Sequence, residues 1–257
     1  LRQRPGADGG EVMSAYDEQC AEDFRRIRSR IERYFVNLRT PCPYGLPFVA
    51  TFHQAMLCPI EERVMELFLA AGYRRNGNCL YTMHCADCTA CIAIRLDVRE
   101  FRPNRNQRRV RKKNVDVAWS VEDLVQDREN HHLCQKFLER RYPQKNNTAE
   151  GYYESFFLNG IVDSRRIEFR LAGRLIGASI VDFGRNWVNA VYFYFDPDEC
   201  SRSLGTYNII TLVELCRKWN IHYIYLGYYI RDVAAMSYKT AFKPYALLED
   251  GQWRSYR

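Results

Sequence analysis

The chain has 257 residues, 47% of them hydrophobic, and its 38 Lys/Arg against 31 Asp/Glu give a net charge of +7. It is long and apolar enough for one large domain or two small ones, each with a real core. No apolar run approaches the ~20 residues that span a bilayer, and residues 1–10 are polar and glycine-rich rather than a charged-then-apolar signal, so no membrane role is expected. Of the ten cysteines, Cys20, Cys58, Cys79, Cys134, Cys200 and Cys216 stand singly or scattered and read as reduced thiols, which places the chain in the cytoplasm.

In chain order, residues 1–13 read as a disordered extension. Tyr16, Cys20, Phe24, Ile27, Ile31 and Tyr34 then recur at spacings of three and four, the pattern of an amphipathic helix. Residues 39–47 are turn-rich, with Cys42 between two prolines, and residues 61–71 form a second helix stopped by Gly72. Short strands are expected over 78–83 and 90–96, a helix over 122–142 ending at Pro143, and a polar link over 144–148. Strands follow over 166–171 and 174–183, turning at Gly173, and over 187–195. A helix over 204–219 turns Ile209, Leu212, Val213, Leu215 and Cys216 inward, and strands close the chain over 222–229 and 247–253. Antiparallel strands, a helix and another strand resemble the core of the acetyltransferase (GNAT) fold. The expected class is therefore α+β: an N-terminal cysteine-containing α/β lobe over 14–147, then a GNAT-like domain over 148–257 with a mixed, mainly antiparallel sheet.

Two adjoining blocks carry the chemistry. Cys85, Cys88 and Cys91 stand at three-residue spacing, so a turn can bring their sulfurs to one side. Zinc and iron–sulfur clusters usually take four protein ligands, and Cys42 or His84 would supply the fourth. Without a second paired Cys-x-x-Cys the alternative is a set of structural thiols. Directly after it come Arg99, Arg102, Arg105, Arg108, Arg109, Arg111, Lys112 and Lys113, with Glu100 the sole acid. Arginine forks grip phosphates in bidentate fashion, so this run suggests RNA; a solvated surface segment is the alternative. If the stretch is helical, Arg102, Arg105 and Arg109 share a face.

No GxxxxGK[ST], HExxH or GxSxG motif is present, which favours chemistry on an already activated substrate. Where acetyltransferases place a [QR]xxGx[GA] turn this chain has Arg202-Ser203-Leu204-Gly205-Thr206-Tyr207, and bulky Tyr207 is expected to obstruct a pyrophosphate. The helix start can still offer amides to an anion or an oxyanion, or simply be capped by Ser203 or Thr206. The segment around Tyr225, Gly227 and Tyr228 offers an aromatic wall with a glycine gap. Tyr238 and Lys239 add a phenol and an ammonium near that strand's exit, able to meet a carboxylate.

These motifs resemble the bacterial aminoacyl-tRNA–protein transferases, chiefly aspartate/glutamate leucyltransferases, from about Cys42 to Trp253. The matching pieces are Cys42-x-Tyr44, Gly72-Tyr73-Arg74-Arg75, Cys85-x-x-Cys88-x-x-Cys91 with Arg95, and Phe101-x-Pro103 leading into Gln107-Arg108-Arg109. Further on they are Phe195-Asp196-Pro197, Ser203-Leu204-Gly205-Thr206-Tyr207, Tyr225-Leu226-Gly227-Tyr228, Met236-x-Tyr238-Lys239 and Phe242-x-Pro244. The resemblance implies transfer of leucine from leucyl-tRNA to proteins beginning with Asp or Glu, marking them for degradation, with arginyl transfer as the alternative donor chemistry. It implies a site at Ser203, Gly205, Thr206, Tyr225, Gly227, Tyr228, Tyr238 and Lys239, with Lys239 or Arg95 as the cation for the acidic residue. The basic run from Arg102 to Lys113 would hold the tRNA; neither DNA nor a membrane is expected as a partner. No cofactor is needed for the chemistry. Related eukaryotic enzymes carry a cluster or metal on a paired Cys-x-x-Cys, where this chain has only Cys42. A metal-stabilised RNA-binding protein and an acetyl-CoA enzyme are the competing readings.

Overall fold

The computed structural model describes residues 14–57 and 59–257; the extension expected over 1–13, and Cys58, lie outside the described residues. Helix α1 (Ala15–Ile31) starts at Ser14, whose hydroxyl accepts from the Asp17 amide, and buries Cys20 and Phe24 on its inner stripe. It leads into β1 (Val36–Pro41) and β2 (Val49–Met56), a hairpin across the turn-rich stretch. Helix α2 (Glu62–Ala70) ends at Gly72, which takes a left-handed φ of 88° and turns the chain into β3 (Arg74–Asn76) and β4 (Cys79–Met83). These four strands form one sheet in the order β1-β2-β4-β3.

The second sheet begins with β5 (Ile92–Asp97), after which come α3 (Arg105–Lys113), β6 (Val117–Asp123) and α4 (Arg128–Arg141). The helix expected over 122–142 is thus shorter. Val117, Trp119 and Val121 alternate as a strand, and Asp127 caps α4 by accepting from the Asn130 amide at 2.8 Å. A short helix α5 (Ala149–Tyr152), running into a wider turn at Tyr153–Phe157, precedes β7 (Ser164–Leu171), β8 (Arg174–Phe183) and β9 (Trp187–Phe195). Ala172 and Gly173, at φ 48° and 85°, make the expected tight turn between β7 and β8. Helix α6 (Leu204–Lys218) buries Ile209, Leu212, Val213, Leu215 and Cys216 as its periodicity requires. Each such side chain contributes about 1.5–3 kcal/mol. Strand β10 (Tyr223–Tyr229) and the four-residue helix α7 (Ala234–Ser237) follow. The last expected strand is a hairpin, β11 (Tyr245–Glu249) and β12 (Gln252–Tyr256), folded at Asp250 and Gly251.

The large sheet has eight strands in the order β12-β11-β5-β10-β9-β8-β7-β6. Strands β5 and β6 precede residue 148, so the expected division at 147/148 cuts across one sheet rather than between two. The reason is non-local pairing: β5 satisfies the backbone groups of β10 and β11, which would otherwise be open edges. The α+β class and the antiparallel character hold, with one parallel pair.

That pair, β9 and β10 joined through α6, is the acetyltransferase-like core expected from the strand-helix-strand order. It is in register over only three residues, ending at Tyr225 opposite Asn189. Beyond them Gly227, at φ 78°, sits in a bulge that keeps β10 on β5. The two strands part, and Ala190 to Phe193 are only half-buried although β9 is central in the sheet. The pairing thus ends at the carboxyl side of the parallel pair, the end at which such topologies bind ligands.

Candidate active site

Just past the point where β9 and β10 part, at the Gly227 and Tyr228 carbonyls, the structure gathers two buried cations. Lys239 is 7% exposed; its Nζ donates to the Tyr228 carbonyl at 2.6 Å and approaches Met236 Sδ at 3.3 Å. Arg74 is 4% exposed; it donates from Nη2 to the Gly227 carbonyl at 3.0 Å and from Nη1 to the carbonyls of Tyr73 and Leu69. Its guanidinium lies 5.6 and 5.5 Å from the Tyr225 and Tyr228 ring centres, and its Nε has no partner. Among the described residues neither cation has a carboxylate partner. Burial, reinforced by the Arg74 charge, holds the Lys239 ammonium down to about 7, and burial also lowers Arg74. Burial pushes the Tyr225 and Tyr228 phenols up to about 12, so both are neutral donors at physiological pH. Gly227 has a structural part as well: a Cβ there would stand 3.7 Å from Lys239 Nζ, on a backbone that disfavours side chains.

Tyr225, Gly227, Tyr228 and Lys239 are thus brought together as expected. Tyr238 is 46% exposed, the reverse of the usual ordering of a tyrosine and its neighbouring lysine. Arg95 is corrected: it is bound to Asp17 at 2.7 Å and sandwiched between Tyr223 and Trp253 at 4.3 and 4.2 Å. An already neutralised arginine is a poor receptor for a second carboxylate. Arg74 was missed as a site residue. Its sequence signal was its place in the Gly72-Tyr73-Arg74-Arg75 motif, where nothing in the residues separates it from Arg75.

Ser203, Gly205 and Thr206 form the start of α6. Ser203 takes a left-handed φ of 56° and makes no side-chain cap, so the capping alternative fails for it. The amides of Leu204 and Gly205 meet no acceptor among the described residues, and a Cβ on Gly205 would enter open space. Tyr207 does not obstruct this surface. It is 7% exposed and turned inward, 5.7 Å from the Phe169 ring. Among the described residues no hydrogen bond or ion pair joins this turn to the Lys239 group.

The basic run is helical from Arg105, with Asn104 and Gln107 forming a reciprocal capping box. Arg102 precedes the helix, so the face it was expected to share belongs instead to Arg105, Arg109 and Lys112. Arg102, Arg105, Arg108, Arg109, Arg111, Lys112 and Lys113 are all exposed. Arg111 is paired with Glu214 at 2.6 Å, whereas Arg105, Arg109 and Lys112 carry no acidic partner among the described residues. The same capping residues hold the Lys239 segment: Gln107 Nε2 donates to the Ala241 carbonyl at 2.9 Å, and Asn104 Nδ2 at 3.4 Å.

Cys42, Cys85, Cys88 and Cys91 line one cavity of about 190 Å³. Burial, then the neighbouring Cys85, Cys42 and Cys88 thiols, push the Cys91 thiol up to about 12. Among the described residues no three His, Cys, Asp or Glu groups stand close enough to share one ion. The donor set suits a soft cation, and the fold brings it to one cavity without closing it into a coordination sphere. His84 stacks on His53 instead, ring centres 4.3 Å apart.

Family models described as arginine-tRNA-protein transferase, N terminus and C terminus, match residues 40–109 and 129–249. The aspartate/glutamate leucyltransferase of Saccharophagus degradans is 38% identical over 204 residues, 77% of this chain and 85% of that protein. That of Marinobacter nauticus is 34% identical over 201 residues, covering 76% and 83%. Among solved structures FemX covers 97% of both chains at 8% identity and a TM-score of 0.49, a likeness too distant to bear on chemistry. The matched segments hold both the Arg74–Lys239 pair and the turn at the start of α6, and with relatives of this similarity over most of its length the chain belongs to the aminoacyl-tRNA–protein transferase family of aspartate/glutamate leucyltransferases.

Proposed function

We propose that this enzyme transfers leucine from leucyl-tRNA to the α-amine of proteins whose first residue is Asp or Glu, marking them for degradation, in a reducing cytoplasm. The observation that carries the acceptor side is the Arg74–Lys239 pair: two buried cations with no carboxylate of their own. A carboxylate from the acceptor's first side chain would compensate them and gain strength from the low-dielectric surroundings. The donor reading rests on the names of the relatives, which are aspartate/glutamate leucyltransferases. The nine described cysteines are all free thiols, as a reducing compartment requires.

The acceptor amine has an ordinary pKa of about 7.7–8.0, so it is partly neutral at cellular pH. It attacks the ester carbonyl of leucyl-tRNA; the amide bond forms as the bond to the tRNA 3′ oxygen breaks, and the amine proton leaves with that oxygen. No side chain is needed as general base. The open amides of Leu204 and Gly205 face the right kind of charge to stabilise the intermediate oxyanion. The exposed face of Arg105, Arg109 and Lys112 would hold tRNA phosphates, and Gln107 ties that helix to the segment bearing Lys239.

The test is a transfer assay with leucyl- and arginyl-tRNA in parallel and peptides beginning with Asp, Glu, Lys or Ala. Leucine incorporation confined to Asp and Glu peptides is expected. Arginine incorporation would overturn the donor, and RNA binding without transfer would favour the non-catalytic alternative.

A structural metal or iron–sulfur site at Cys42, Cys85, Cys88 and Cys91 would require these thiols to draw closer than their shared cavity holds them, and it has no part in the steps above. Elemental analysis of the purified protein, with and without Cys85→Ser plus Cys88→Ser, decides it: metal lost in the variant supports the site, and none in the wild type leaves structural thiols.

A further inference from the structure

A groove of about 530 Å³ runs over the outer face of the four-stranded sheet, within the ~300–1,000 Å³ range of ligand clefts. Its floor includes Leu38 and Phe52, paired across β1 and β2, and Met56 at the far end of β2. Leu38 and Met56 are 52% and 73% exposed, an unusual display of apolar side chains on a strand face. The opposite wall is the turn after α5, with Glu154 and Leu158. At Gly77 the two sides close on each other, since a Cβ there would stand 2.5 Å from the Ser155 carbonyl oxygen.

The groove adjoins the two cations through its lining residue Tyr81. Tyr81 pairs with Arg74 across β3 and β4, meets Phe52 at 5.3 Å and Tyr228 at 6.2 Å between ring centres, and the Tyr228 carbonyl accepts from Lys239. Its charge separates two occupants. Glu154 is the one charged residue in the lining, and no Lys or Arg is present. A phosphate backbone needs cations, so RNA is disfavoured here and belongs on the basic face of α3. A polypeptide needs none.

We infer that this groove receives the segment of the acceptor protein that follows its acidic first residue, favouring apolar or basic side chains over acidic ones. The inference rests on the leucyl-transfer reading. It extends that reading from the first residue to the next few.

The experiment uses the full chain with saturating leucyl-tRNA and two acceptors sharing an N-terminal Asp, a dipeptide amide and a ten-residue peptide. The longer peptide is expected to show a KM about tenfold lower at similar kcat. In Leu38→Glu with Met56→Glu, whose side chains are already in solvent, that advantage disappears while the dipeptide KM and tRNA affinity stay unchanged. Lysine in place of glutamate at acceptor positions two to four should lower KM, and Glu154→Gln should remove that difference. Equal KM values for the two acceptors in the wild type overturn the groove, as does a loss of tRNA affinity in the double variant. Absence of transfer to both acceptors overturns the leucyl-transfer reading itself.

Discussion

Arg74 and Arg75 are neighbours in one short strand and meet opposite fates. Strand geometry sends them to opposite sides of the sheet, and both are buried. Arg75 is fully compensated: Nη2 binds Asp182 at 2.6 Å and Ser164 at 3.2 Å, and Nη1 donates to the Phe156 carbonyl. Asp182 in turn accepts from Asn189, the residue opposite Tyr225 where β9 and β10 part. Arg74 has carbonyls and aromatic faces but no counter-charge, and it shares its surroundings with a lysine in the same condition. A buried cation with a partner holds the fold together. A buried cation without one costs stability, and a charge supplied from outside would offset that cost.

The contrast breaks most visibly by removing the partner on the compensated side. Asp182→Ala should cost about 3–5 kcal/mol, because it strands Arg75 in the interior. Denaturant unfolding measures it, and a loss under about 1 kcal/mol would mean that Arg75 is not held by that pair.

On the uncompensated side the sign reverses. Lys239→Met should leave stability unchanged or raised, yet lower kcat/KM for Asp and Glu acceptors by about 30-fold or more, the cost of a lost buried charge contact of ~2 kcal/mol upward. Equal losses of stability and activity would make Lys239 a structural lysine.

The pH dependence sharpens the same point. Lys239 is charged below about 7 and loses its charge above that value, while the acceptor amine becomes neutral toward 7.7–8.0. The kcat/KM profile for Asp peptides should therefore be a narrow bell, and Lys239→Arg should extend its alkaline limb. The folded protein binds fewer protons at this site than the unfolded chain between about 7 and the ordinary lysine value of ~10.4, so this group makes stability rise with pH across that window. A flat or falling alkaline limb in Lys239→Arg, matching the wild type, would remove Lys239 from the acceptor site.

The smallest effect expected concerns the exposed cations, which differ from both buried sets. Arg108→Ala with Arg109→Ala should leave stability within experimental error and weaken tRNA binding, lowering the salt slope by about two. An unchanged slope would move the tRNA contact off α3.

Much of the fold was legible because local periodicity reports which face of an element is buried. The inner stripe of α6, the hairpin turn at Gly173 and the helix end at Gly72 all stand where residue pattern alone puts them. The strand over Val117–Asp123 had no expectation of its own, and the helix expected from 122 began inside it; the pairing with β7 that decides it comes from residues 165–171. The basic density of α3 and the spacing of Cys85, Cys88 and Cys91 were equally plain. Tyr207 was misjudged for a related reason: its bulk is visible in sequence, but the direction of its ring is set by Phe169 on another strand.

Sequence by itself determined the class of elements, the family and the stock of cations and thiols. Only the tertiary structure decided which cation is paired within the fold and which is left without a counter-charge. Arg75 finds Asp182 across 107 residues and Arg95 finds Asp17 across 78, whereas Arg74 and Lys239 bind the adjacent carbonyls of Gly227 and Tyr228 and, among the described residues, no acid. Such assignments depend on strand order and register, and Coulomb interactions follow distance in space and local burial rather than separation along the chain.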